Sequence, residues 1–174
     1  MSGPRRDEAG HARLTRLGYR RALPVAAAVV LLDQLSKWWI LSAVMQPPRE
    51  IPVTPFFNLV LAWNRGVSFS LFRSDASFAP YVLSAIAVAV VIGLLVWLGR
   101  QHRLWPALGI GLVIGGAVGN VIDRLRHGAV VDFVDFHAAG WHWPAFNLAD
   151  SAITIGVAVL VADGLFGRPD EAKT

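Results

Sequence analysis

The sequence predicts a membrane all-α fold, a bundle of four transmembrane helices carrying a small extracytoplasmic β-hairpin subdomain. Three observations predict it. Four segments are apolar over the length a helix needs to cross a hydrocarbon core, about 20 residues. Of the 174 residues, 55% are hydrophobic and only 16% charged, where an ordinary globular domain carries about a quarter charged residues. The basic residues gather at the termini and in alternate loops, as orientation in a membrane requires.

Taken in order, residues 1–21 form a basic tail with Arg5, Arg6, Arg13, Arg16, Arg20 and Arg21. The membrane domain covers 22–166, with spans expected at about 22–44, 78–98, 104–122 and 146–166, and residues 167–174 form a second tail. The second span carries no charge; the first is interrupted by Asp33 and Lys37, the fourth by Asp150 and Asp163. Asp163 sits near the cytoplasmic end of the fourth span, within reach of headgroups. Arg100 and Arg103, flanked by Trp97 and Trp105, mark a cytoplasmic loop, so both termini are expected in the cytoplasm. Segments 46–77 and 123–145 then lie outside. The apolar run beginning after Arg21 could also open a signal peptide. It continues past Lys37 into Trp38-Trp39-Ile40-Leu41 without a convincing cleavage site, which favours an uncleaved span.

Within 46–77, Phe57, Leu59, Leu61 and Trp63 alternate, Asn64-Arg65-Gly66 makes a turn, and Val67, Phe69 and Leu71 alternate again. This predicts a β-hairpin whose apolar face needs a partner, either the membrane surface or the tops of the helices. In the third span Gly111, Gly115 and Gly119 recur every four residues, a small-residue ridge for close helix packing.

Several function classes fall away. The net charge of +4 is not arranged as a basic face, so no nucleic-acid partner is expected. The chain has no cysteine, which excludes disulfides and thiolate chemistry. No HExxH or similar spacing occurs, and neither a metal nor a cofactor is expected.

Charged residues inside spans mark function by default. Asp33 and Lys37 are four apart and share a helix face, so they read either as a structural ion pair or as part of a site. Asn120 and Arg124 share a face at the outer end of the third span. Asp132 lies between valine and phenylalanine in Val130-Val131-Asp132-Phe133-Val134-Asp135-Phe136, an apolar setting that raises a carboxyl pKa. Asn147 and Asp150 are at i and i+3 as the fourth span opens. Topology thus gathers Asp123, Asp132, Asp135 and Asp150 at one membrane face. Two close carboxylates share a proton, and such a pair can activate water while polarising a carbonyl. Spacing leaves Asp132, Asp123 and Asp135 as rival partners for Asp150.

These residues resemble a known family, the bacterial lipoprotein signal peptidases, also called signal peptidase II. The likeness runs through Asp33-Gln34-Leu35-Ser36-Lys37, Asn64-Arg65-Gly66-Val67-Ser68-Phe69-Ser70, Gly115-Gly116-Ala117-Val118-Gly119-Asn120-Val121-Ile122-Asp123-Arg124, Val131-Asp132-Phe133 and Trp143-Pro144-Ala145-Phe146-Asn147-Leu148-Ala149-Asp150-Ser151. The resemblance implies a multi-pass enzyme of the bacterial inner membrane, an aspartic endopeptidase with Asp132 and Asp150 as its catalytic pair. Its substrate would be a prolipoprotein, cut just before a diacylglyceryl-modified cysteine. Asn64, Gly66, Asn120, Arg124, Asn147, Asp33 and Lys37 match positions that shape or line the site. The other expected partners are membrane lipids, and the expected state is a monomer. The long basic tail before Arg20 departs from the family core and reads as an orientation signal or a contact for anionic lipid. Two readings of other classes compete: a proton-coupled transporter using Asp33 or Asp150, and a structural subunit assembled on the glycine ridge.

Overall fold

The computed structural model describes residues 6–66 and 78–167, with side chains from residue 17 onward. Its elements run α1 (Arg6–Trp39), a π-helical turn (Ile40–Val44), β1 (Ile51–Thr54), β2 (Phe57–Asn64), α2 (Ala79–Leu98), α3 (Leu104–His127), β3 (Val130–Ala138), β4 (Trp141–His142) and α4 (Leu148–Phe166). Four helical stretches are long and apolar enough to cross a membrane: Leu17–Val44, Ala79–Leu98, Leu104–His127 and Leu148–Phe166. Large apolar residues such as Leu31, Leu32, Ile86, Val96 and Val161 face outward. That pattern suits a chain whose solvent on those faces is hydrocarbon.

α3 is the central helix, and its small residues explain why. Cβ atoms added at Gly111 and Gly115 would meet the Ala22 and Ala26 carbonyl oxygens of α1 at 2.6 and 2.7 Å. One added at Gly119 would meet Asp33 Oδ2, also at 2.6 Å. The ridge at four-residue steps is therefore the seat of α1. A second line of glycines seats α4: a Cβ at Gly109 would meet the Gly156 carbonyl, and one at Gly116 would strike the Ala149 carbonyl. Backbone approach this close lets van der Waals contact hold helices together where lipid provides no hydrophobic drive. The lower core is formed by Ala22, Ala26, Leu98, Ala107, Ile110 and Ile114.

The expected span of α3 ends at residue 122, where charges begin, but the helix continues to His127. Helix propagation does not stop at the edge of an apolar stretch. It stops at Gly128, whose φ of 68° forms a left-handed cap with its N–H on the Arg124 carbonyl. At the opposite end of the bundle Arg103 forms a two-pronged ion pair with Asp163, both N···O distances 2.8 Å. Asp163, expected to face headgroups, instead ties α3 to α4. The pair is partly solvated, so Arg103→Ala is expected to lower stability by less than about 1 kcal/mol, which thermal melts in detergent test.

The four strands form one antiparallel sheet in the order β1-β2-β3-β4. β2 pairs with β1 on one side and with β3 on the other, with Ala62 opposite Asp132 and Asn64 opposite Val130. The described hairpin is thus β1–β2, one element earlier than the predicted turn. The predicted second arm, Val67, Phe69 and Leu71, lies outside the described residues. The face of the sheet packs on the π-helical turn through Ile40, Met45 and Phe133. Phe146 exchanges backbone hydrogen bonds with Val134 directly before α4 begins. The sheet is thereby fastened to the adjoining ends of α1, α3 and α4.

Candidate active site

The site begins with the first turn of α4. Asn147 is the N-cap: its Oδ1 accepts from the Asp150 N–H at 3.0 Å, and Asp150 Oδ2 accepts from the Asn147 N–H at 3.2 Å. This reciprocal capping box satisfies two N–H groups that a helix start leaves open. A third, on Ala149, donates to Asp33 Oδ1 of α1 at 3.0 Å. Asp150 is therefore held by its own helix end.

Asn147 has a second task. Its Nδ2 donates to Asp132 Oδ1 of β3 at 2.7 Å. The other carboxylate has a matching donor, since Asn120 Nδ2 of α3 donates to Asp150 Oδ1 at 2.8 Å. The two amides also touch, Asn147 Nδ2 lying 3.3 Å from Asn120 Oδ1. Asp132 and Asp150 thus face a shared pair of asparagines.

Behind them lies a buried ion cluster. Lys37 Nζ is 2.8 Å from both Asp33 Oδ2 and Asp123 Oδ2 and 3.3 Å from Asn120 Oδ1. Asp123 also accepts from the Val131 N–H at 3.1 Å. Gln34 Nε2 donates to Asp123 Oδ1 at 3.0 Å. Arg124 lies within the field of Asp150, Asp123 and Asp132. Its buried Nε has no hydrogen-bond partner among the described residues. Asn64, at the end of β2, turns back on itself, its Oδ1 accepting from the Gly66 N–H at 2.9 Å. Gly66 adopts a φ of 80°, which favours glycine.

Asp132 is 1% exposed. Burial pushes its carboxyl up to about 6 from the ordinary 3.8, and repulsion from Asp150 adds to the rise. Hydrogen bonds from Asn64 and Asn147 and the charge of Lys37 pull the other way. Asp150 is less buried and lines a groove of about 540 Å³ between Asn64, Trp143, Phe146, Ser151 and Ile155.

The structure separates the rival aspartates. Asp135 turns away to Asn58 at 3.1 Å and His142 at 2.9 Å, in a network with Glu50 and His137. Asp123 is engaged by Lys37. Sequence reasoning assigned no role to Gln34 or to the Asn58 and His142 partners of Asp135. Gln34 stands beside Asp33 in Asp33-Gln34-Leu35-Ser36-Lys37. Asn58 and Asp135 carried no local signal, because they meet only across paired strands. Among the described residues no group of three or more His, Cys, Asp or Glu side chains is placed to hold a metal ion.

A family model described as signal peptidase (SPase) II matches residues 25–166. The chain belongs to the signal peptidase II family. It is similar to the lipoprotein signal peptidase of Azoarcus sp. (strain BH72), 53% identical over 80% of this chain and 79% of that one. It is likewise similar to the lipoprotein signal peptidase of Methylorubrum extorquens (strain PA1), 42% identical over 90% and 92% of the two chains. A bacterial membrane enzyme solved by the in meso method at 2.3 Å resolution superposes with a TM-score of 0.72 at 29% identity, covering 88% of this chain and 92% of its own. A second such structure, at 1.9 Å, gives 0.73 at 31% identity and covers 84% and 94%. The chain is therefore a multi-pass bacterial membrane protease.

Proposed function

We propose that this signal peptidase II is an aspartic endopeptidase in which Asp132 and Asp150 act as one unit, cutting prolipoproteins just before a diacylglyceryl-modified cysteine. The observation that carries the reading is the paired geometry: each carboxylate takes an amide N–H, from Asn147 or Asn120, at the head of a groove. Asp132 is the proton holder, because burial disfavours its charged form. Asp150 is the base, since it takes donors from Asn120 and the Asn147 N–H and sits at a helix N-terminus, where negative charge is stabilised. Asp150 takes a proton from a water between the carboxyls while that water's oxygen attacks the scissile carbonyl carbon. The Asp132 proton passes to the carbonyl oxygen. On collapse of the tetrahedral intermediate one hydroxyl returns its proton to Asp132 as the C=O bond re-forms. The C–N bond breaks, and the proton gained by Asp150 goes to the departing amine, which restores the starting pair.

The positive-inside pattern supports cytoplasmic termini and a site on the extracytoplasmic face. A substrate anchored by its own lipid would reach the groove by lateral diffusion in the bilayer, which suits a site at the ends of the spans. A monomer carries the whole constellation on one chain. We assign the basic tail to 1–21, the membrane domain to 22–166 and the short tail to 167–174.

The raised Asp132 carboxyl makes this testable by pH. Activity needs the proton on Asp132, so kcat/KM is expected to fall as pH rises through about 6. The groups facing that carboxyl are Asp150 on α4, Lys37 on α1, Arg124 on α3 and the Asn64 and Asn147 amides. A limb centred instead in the ordinary carboxylate range near 3.8 would remove the proton-holder assignment. The decisive assay compares lipidated and unlipidated substrate peptides with purified enzyme. Equal cleavage of both would overturn the substrate reading.

A further inference from the structure

The reaction as proposed leaves a buried ammonium without a part. Lys37 is 3% exposed. Its three N–H bonds have three acceptors in Asp33 Oδ2, Asp123 Oδ2 and Asn120 Oδ1. An ammonium donates only. The Asn120 amide must therefore turn its oxygen toward Lys37, where that oxygen also accepts from Asn147 Nδ2. This leaves Asn120 Nδ2 to face Asp150 Oδ1 at 2.8 Å. Turned over, the amide would set its NH2 against two donors and its oxygen against a carboxylate. Buried groups left unpaired in that way lose their solvation with no bond to offset it, so that orientation is disfavoured.

We infer that Lys37 is a positioning residue of the peptidase, fixing the orientation of the Asn120 amide so that its N–H is held on Asp150. The inference rests on the proposed pairing of Asp132 with Asp150. Lys37 touches neither carboxylate of that pair, so it acts through Asn120, and its removal matters only while Asn120 is present.

The test is a double-mutant cycle on kcat, using purified full-length enzyme in bicelles and a fluorogenic diacylated lipopeptide. Lys37→Gln and Asn120→Ala are each expected to lower kcat about 10- to 100-fold. KM should stay within about twofold, because the lost interaction concerns the reacting groups and not ground-state binding. The double variant should be no slower than the worse single one, since the effects of coupled residues do not add. Losses that multiply, or that fall on KM, overturn the inference. Asn120→Asp covers the case in which Lys37→Gln does not fold: it keeps an acceptor for Lys37 but offers Asp150 no donor. It should lose kcat as Asn120→Ala does, and undiminished kcat there also overturns the inference. Asp150→Asn is run in parallel. Turnover by that variant removes the aspartate-pair reading itself, whereas an inactive Asp150→Asn beside additive Lys37 and Asn120 effects removes only this inference.

Discussion

Asp132→Asn and Asp150→Asn are each expected to lower kcat by about 10²- to 10⁴-fold, the range of a lost general acid or base. Both variants should fold, because asparagine keeps an oxygen for the amide donor that each position receives from Asn147 or Asn120. Their stabilities should differ in an informative way. The Asp132 carboxyl is raised in the folded state, so its contribution to stability is full below 3.8 and is lost as pH rises through about 6. Asparagine cannot ionise and avoids that loss. Asp132→Asn is therefore expected to be inactive yet more resistant to thermal unfolding than the parent at neutral pH, with no difference at acid pH. Melting curves at the two pH values check this. A variant that still processes a lipid-modified prolipoprotein would sink the aspartate-pair reading.

The second large effect concerns a residue with no chemistry of its own. Gly116→Ala is expected to destabilise the bundle by about 1–3 kcal/mol, as overpacking does. It should also lower kcat by about 100-fold, the scale of a small misplacement of reacting groups. The added methyl would strike the carbonyl oxygen of Ala149, directly before Asp150, with Ile153 Cγ1 at 2.7 Å. Both atoms belong to α4, so relief requires that helix to retreat from α3. Retreat takes Asp150 away from the Asn120 amide. Gly93→Ala is the control, because nothing lies within 4 Å of the added Cβ on α2. There the gain in helix propensity, roughly 0.5–1 kcal/mol, should show as equal or greater stability with unchanged turnover. Equal behaviour of the two variants would contradict the close-packing argument.

Several features were legible in the sequence for identifiable reasons. Asn147 and Asp150 are three apart at the start of an apolar run, the spacing of a capping box, and that box is present. Asp33 and Lys37 are four apart and do pair. The glycine ridge at 111, 115 and 119 predicted close packing, but not that Gly109 and Gly116 would form a second seat facing another helix. The sheet was the least legible element. Val130-Val131-Asp132-Phe133 is buried throughout, so it lacks the alternation that marks a half-exposed strand. β1 spans only Ile51–Thr54 and includes a proline, which suits an edge strand and weakens its signal.

By itself, the sequence determined that this chain spans a membrane several times and carries its charged side chains mainly at the helix ends. Those are sums over local residues: the preference of each segment for hydrocarbon depends on its own composition. Spacing left the choice among the carboxylates open, and the family resemblance pointed to Asp132 and Asp150. The tertiary structure supplies the contacts that tell the four apart. Asp123, Asp132, Asp135 and Asp150 are equivalent in a count of acidic residues near one membrane face. Strand pairing turns Asp135 to Asn58 and His142, a buried lysine takes Asp123, and two asparagine amides bring Asp132 and Asp150 to the same place. Each outcome depends on contacts between residues far apart in the chain, made possible by glycines that let three helix backbones nearly touch.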